Sequence, residues 1–244
     1  AQAGAARVYA VEASAMADHA AALCAANPGA GSRVTVVRAR VESAGLPRAC
    51  ADILVSEPMG TLLLNERMLE SYVHARDHLL KPGGRMFPVR RTRAAVRASD
   101  GRGRPAHAPP PPSHLQALGR IHVAAFSDAA LHAELEAKAT FWRQPNFYGV
   151  DLTSLEAPAA DAYFQQVVVD AVDAHCLVSG PETRVIDFGS VAAADLRRVA
   201  VPLRLVVAAD CDVHGVAAWF DVLFDGSGGQ RWLSTAPGLP TTHW

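Results

Sequence analysis

The 244-residue sequence lacks any long apolar run, any paired cysteine spacing, any strong excess of one charge and any internal repeat. Each absence removes a class of protein. No stretch approaches the roughly 18 apolar residues that a membrane-spanning helix needs. The first residues do not carry the basic-then-apolar layout of a secretory signal. Only four cysteines occur, Cys24, Cys50, Cys176 and Cys211. Their scatter fits reduced thiols in the cytosol or nucleus better than a disulfide framework or a zinc site, so no metal is expected. The net charge of −1 hides one imbalance: residues 89–118 hold six arginines against a single acid, Asp100, leaving 17 basic and 23 acidic residues elsewhere. An acidic body is a mild pointer to a basic partner.

Half of the residues are hydrophobic, enough to build one large domain or two smaller ones. Residues 1–88 alternate strand-like and helix-like stretches. The spacing predicts strands over 7–12, 33–38 and 52–55, an Ala-rich helix over 14–26, and an amphipathic helix over 65–80 stopped by Lys81-Pro82-Gly83-Gly84. That rhythm implies a parallel sheet. Ala1-Gln2-Ala3-Gly4-Ala5 reads as the tail of a helix with its glycine stop, so the chain is expected to begin inside a fold. Residues 89–118 combine the arginines with Pro109-Pro110-Pro111-Pro112 and read as a flexible, solvated insertion, with a nuclear-localisation or nucleic-acid role as the sharper alternative. From residue 119, short β-rich stretches at 121–126, 167–169, 184–188, 203–208 and 216–223 suggest an antiparallel sandwich or barrel. A helix over 128–139 and an aromatic-rich excursion over 141–151 interrupt them.

The chemistry concentrates after the third strand. Glu57 and Glu66 flank Pro58-Met59-Gly60 and a leucine run, where an open α/β sheet places its ligands. Two carboxylates fixed there suit a planar cation, and guanidinium is the group whose forked donors match carboxylates bidentately. Glu66 also fits a plain first-turn acid favoured by the helix dipole. Glu12, ending the first strand, sits where doubly wound folds hold the ribose of a nucleotide cofactor, though many strands end in a solvated Glu. A nicotinamide cofactor would leave Glu57 and Glu66 without a task. Leu80-Lys81-Pro82-Gly83-Gly84-Arg85-Met86, a helix end followed by Pro-Gly-Gly and a strand, resembles a piece of S-adenosylmethionine-dependent methyltransferases, and methyl transfer uses the two acids better.

Val8-Tyr9-Ala10-Val11-Glu12-Ala13-Ser14, the segment 56–71, Lys81-Pro82-Gly83-Gly84-Arg85-Met86-Phe87-Pro88 and the ending Thr242-His243-Trp244 together resemble the protein arginine methyltransferases. Pro58, the stretch 146–152 and the stretch 219–227 resemble the coactivator-associated, type I, histone-arginine methyltransferase branch in its plant or algal form. The resemblance covers nearly everything outside residues 89–118. It implies an α/β plus β fold class: a partial Rossmann-like S-adenosylmethionine methyltransferase domain over 1–88, the insertion over 89–118, and a partial antiparallel β-barrel domain over 119–244. The barrel part would include a helical dimerisation arm at about 141–165, whose aromatics could otherwise simply close one end of the β domain.

By that resemblance, Glu57 and Glu66 clamp the substrate guanidinium, and His243 orients the clamp or receives a proton. Met68 and Trp244 bound the substrate pocket, and Glu12, Glu42, Met68 and Ser71 contact S-adenosyl-L-methionine, whose product is S-adenosyl-L-homocysteine. Met68 favours asymmetric dimethylation in the family, although at helical spacing it also fits core filler. The resemblance further implies arginine-containing protein substrates such as histone H3, a homodimer, residence in nucleus and cytoplasm, and no membrane or direct nucleic-acid role. The family's Gly-rich turn would precede Ala1 and its last barrel strands would follow Trp244. The chain is therefore expected to be truncated at both ends, with a catalytically silent dimerisation or coactivator module as the rival reading.

Overall fold

A computed structural model describes residues 1–88, 90–91, 115–116, 118–226 and 229–244. Most of the expected insertion lies outside the described residues. β1 (Val8–Glu12) runs parallel to β2 (Val34–Arg38), in register from Val8↔Val34 to Glu12↔Arg38. A parallel pair needs a crossover, and α1 (Met16–Ala26) with the short α2 (Pro28–Gly31) provides it. β3 (Ala51–Val55) runs parallel to β4 (Leu80–Phe87), with α3 (Met68–His78) between them. Two strand–helix–strand units thus form where the alternating pattern places them.

Three local expectations are corrected. The helix expected over 65–80 is split: Asn65–Arg67 forms a 3-10 turn, and the α-helix begins only at Met68. Glu66 and Arg67 have φ of +69° and +59°, which an α-helix cannot include. Lys81-Pro82-Gly83-Gly84 does not follow the helix as a free stop but lies inside β4. The pairing absorbs it as a bulge, jumping from Ala51↔Leu80 to Ile53↔Arg85. Ala1 to Gly4 is not a helix tail; it is a turn closed by the Gly4 amide on the Ala1 carbonyl at 3.0 Å.

β5 (Arg90–Arg91) pairs antiparallel with β6 (Leu115–Gln116). β7 (Leu118–Phe126), β8 (Glu182–Asp187), β9 (Gly215–Gly226) and β10 (Gly229–Ser234) form a four-stranded sheet ordered β10-β9-β7-β8. Antiparallel bridges Phe126↔Leu177 and Ser179↔Val207 extend the pairing. The stretches 167–169 and 203–208 are not strands. Val167 is 87% exposed and Val206 69%; 203–208 pairs only through the single bridge at Val207, and 167–169 forms no ladder, so β propensity alone makes neither stretch a strand. Between β7 and β8 lie α4 (Ala129–Ala139), the 3-10 turns Thr140–Arg143 and Thr153–Leu155, and α5 (Glu156–Phe164). Asp128 caps α4, its Oδ1 accepting from the Leu131 amide at 2.9 Å.

The chain divides into two compact units. The first comprises Ala1–Gly119, Ile186–Val199 and Val222–Leu233; the second comprises Arg120–Val185, Ala200–Asp221 and Ser234–Trp244. In the first, Leu69, Tyr72 and Val73 form the buried stripe of α3, at the i, i+3, i+4 spacing of one helix face. In the second, Ile121, Val123 and Ala125 alternate inward along β7, and Trp219 and Phe220 are buried on β9.

Candidate active site

The loop between β3 and α3 is built from its backbone outward. Gly60 and Leu63 exchange hydrogen bonds, Leu63 N to Gly60 O at 2.8 Å and Gly60 N to Leu63 O at 3.3 Å. The Leu64 amide reaches Leu62 O at 2.7 Å and the Asn65 amide Thr61 O at 3.2 Å. A Cβ on Gly60 would run into the Asn65 carbonyl oxygen, so only glycine allows this closure. Leu62, Leu63, Glu66 and Arg67 all have φ between +52° and +69°. Left-handed backbone costs a non-glycine residue roughly 1–2 kcal/mol. Burial offsets part of it: Leu63 is fully buried, which for a leucine contributes about 1.5–3 kcal/mol.

The loop's anchors point inward and its acids point out. Pro58, Met59 and Gly60 are buried, while Glu57 and Glu66 are exposed at either end of the closed segment. Arg67 donates through Nε and Nη2 to both oxygens of Glu70, at 3.0 and 2.8 Å, a bidentate pair across the first turn of α3. That guanidinium holds the Glu70 carboxyl below the usual carboxylate range. Met68 opens α3 and is 43% exposed, which does not fit core filler.

Two of the expected cofactor residues meet. Ser71 on α3 donates its hydroxyl to Glu42 Oε1 at 2.6 Å, although the two lie far apart in sequence. This bond is the main cause that lowers the Glu42 carboxyl pKa, with Arg40 and His74 adding smaller pulls in the same direction. Glu12 ends β1 half-buried, its Oε1 accepting from the Ser14 amide at 2.7 Å, which likewise lowers its pKa. A carboxylate at a strand tip is suited to sugar hydroxyls, and a carboxylate with a neighbouring hydroxyl to an amine, so this donor set fits a nucleoside-bearing cofactor. Among the described residues no group of three or more His, Cys, Asp or Glu could hold a metal, and no helix is long and apolar enough to cross a membrane.

His243 and Trp244 belong to the second unit. Their rings lie 3.9 Å apart, and Trp244 meets Phe220 edge-on at 5.8 Å. In the helical excursion of the same unit, Phe141 stacks edge-on with Trp142 and Phe147 at 5.2 and 5.4 Å, and Tyr148 is 94% exposed. Sequence reasoning missed Leu63, Gly119 and Phe188, where the side chain of a loop residue, Leu63, and that of Phe188 converge on Gly119. Their only sequence signal is their apolar or small character, shared by half the chain.

One unit carries a two-acid loop at the tip of a parallel strand pair; the other is sheet-rich with a helical excursion. Residues 117–244 match the arginine methyltransferase oligomerization subdomain. The chain belongs to the protein arginine methyltransferase family. It is 51% identical over 244 residues to the probable histone-arginine methyltransferase CARM1 of Oryza sativa subsp. indica, covering 100% of this chain and 41% of that protein. It is 50% identical to the probable histone-arginine methyltransferase 1.3 of Arabidopsis thaliana, again covering 100% of this chain and 40% of the relative. Among solved structures, the Trypanosoma brucei PRMT1 enzyme-prozyme heterotetrameric complex with AdoHcy aligns with a TM-score of 0.72 at 26% identity, over 100% of this chain and 65% of that one. The chain thus spans about two-fifths of the length of these curated relatives.

Proposed function

We propose that the whole protein carrying this chain is a type I protein-arginine N-methyltransferase. It would form mono- and asymmetric dimethylarginine on histones, such as histone H3, and on other nuclear proteins, in nucleus and cytoplasm. The observation that carries this reading is the closed loop that holds Glu57 and Glu66 outward beside α3, in a member of this family. Residues 1–88 are read as part of a Rossmann-like cofactor domain and 119–244 as part of a β-barrel substrate domain whose arm, about 141–165, serves a homodimer. Residues 89–118 are read as an insertion between them.

S-adenosyl-L-methionine, when bound, supplies a sulfonium methyl. Glu12 would hold its ribose, and Glu42 with Ser71 its adenine, which suits the hydrogen-bonding character those groups already have. Glu57 and Glu66 accept from guanidinium N–H groups, drawing the substrate's positive charge toward two nitrogens and leaving lone-pair density on the third. No neutral arginine has to form first, which matters because its pKa lies above about 12. The loop's contribution is orientation and charge complementarity, and a carboxylate misplaced by about 1 Å could cost on the order of 10²-fold in rate. Met68 would bear on how many methyl groups one nitrogen accepts. Resemblance supports Trp244 as a pocket residue and His243 as the group that orients the clamp or receives a proton.

Incubating the whole protein with histone H3 and S-adenosyl-L-methionine, followed by mass spectrometry, tests this. Asymmetric dimethylarginine is expected, with the yield sharply reduced by Glu66→Gln. No methylarginine, or an unchanged yield in the variant, sinks it. The match of 117–244 to an oligomerization subdomain favours one rival, a silent dimerisation module. That rival gains if calorimetry finds no binding of S-adenosyl-L-homocysteine by the whole protein.

A further inference from the structure

Gly119 marks a place where two distant segments converge. A Cβ built there would lie 2.6 Å from Leu63 Cδ2 and 2.6 Å from Phe188 Cζ, so both side chains fill the space that glycine leaves. Leu63 sits in the acid loop, three positions before Glu66. Phe188 follows β8, inside the segment that matches the oligomerization subdomain, yet it packs in the first unit. Both are fully buried.

The turn that presents Phe188 is tightly held. Asp187 accepts from the Gly189 amide and from the Ser190 hydroxyl, each at 2.9 Å, and its carbonyl accepts from the Val191 amide at 2.8 Å. Arg76 of α3 donates Nη1 to the carbonyls of Phe188 and Val191 at 2.8 and 2.9 Å. Its Nε and Nη2 hold Asp77 at 2.7 and 3.0 Å, so the rigid fork is committed on both sides. The Phe188 ring meets Tyr72 of the same helix edge-on, with centroids 6.4 Å apart at 85°.

We propose that the turn after β8, pinned to α3 by Arg76, braces the acid loop through Phe188 and Leu63, making Phe188 a positioning residue for Glu57 and Glu66. The proposal rests on the reading of that loop as the guanidinium clamp. Leu62 and Leu63 keep left-handed backbone only while Leu63 has a buried seat; without the Phe188 ring the seat opens and the loop relaxes. Glu12, Glu42 and Ser71 lie outside this contact, so donor binding is spared while transfer suffers.

Phe188→Leu and Phe188→Ala in the whole protein test this, with steady-state methylation kinetics beside amide hydrogen exchange of the loop. In Phe188→Leu, kcat falls at least about tenfold while KM for the methyl donor stays within about twofold. Exchange accelerates at the Leu63, Leu64 and Asn65 amides and not in β1 and β2. Leu63→Ala gives the same pattern, and combining it with Phe188→Leu adds little further loss. Unchanged loop exchange overturns the brace whatever kcat does, and so does a donor KM that rises in step with the loss of kcat. If the unaltered protein transfers no methyl group, the clamp reading fails and loop exchange alone still decides the brace. Should Phe188→Ala fail to fold, Phe188→Leu carries the test.

Discussion

Glu42 and Ser71 show how one contact sets the charge of a site. The Ser71 hydroxyl bonds the ionised carboxylate, so it favours the charged form and lowers the Glu42 pKa in the folded chain. A depressed folded pKa means that this contribution to stability is present above the unfolded value, about pH 4.3 for a glutamate. It is lost as the pH falls through the folded pKa. Ser71→Ala is therefore expected to move the Glu42 titration up toward the ordinary carboxylate range. The stability gap between the two proteins should be open at neutral pH and close in acid. Carboxyl-detected NMR titration with denaturant unfolding at several pH values checks both, and a Glu42 titration that does not move would reject the assignment. The sequence named both residues through a family resemblance but did not reveal their bond. They come from different elements, and only folding brings α3 beside the turn at Glu42.

Elements whose signal is local were legible, and those that depend on a distant partner were not. α4 has an Asp before a run of helix formers, and it forms where expected, with Asp128 as its cap. Asp128→Ala is expected to cost about 0.5–2 kcal/mol, because the Leu131 amide loses its acceptor. Thermal or urea unfolding measures it, and an unchanged midpoint would show that α4 does not rely on its cap. The valines at 167–169 have equal local promise as a strand, yet among the described residues no strand edge receives them. The acid loop shows the same limit. The two acids and Gly60 could be read directly, whereas four left-handed non-glycine residues could not, since no residue type there announces positive φ. Their conformation follows from the Gly60–Leu63 closure and the buried seat of Leu63, both products of packing.

At the scale of the molecule, the helical excursion displays a group of exposed aromatic and apolar side chains in the second unit. Tyr148 is 94% exposed, Phe141 48%, Leu155 45% and Phe164 42%, all within the subdomain matched as an oligomerization module. Asn146 accepts from the Gly149 amide at 2.8 Å, and Arg143 pairs with Glu156 at 2.6 Å, so the loop holding Tyr148 outward is fixed in place. A preformed projection loses little conformational freedom on binding, and large aromatics are the residues that most often anchor interfaces. A stable self-association needs roughly 1,000 Å² or more of buried surface, so these side chains would form its centre rather than the whole. Phe141→Ser with Tyr148→Ser should therefore shift the whole protein from dimer to monomer in sedimentation velocity at micromolar concentration. Circular dichroism should stay close to that of the unaltered protein, because Tyr148 is almost wholly exposed and Phe141 is half-exposed, its ring contacts confined to the excursion itself. If the double variant sediments as the unaltered protein does, the arm is not the contact. A homodimer would then have to be built on another surface.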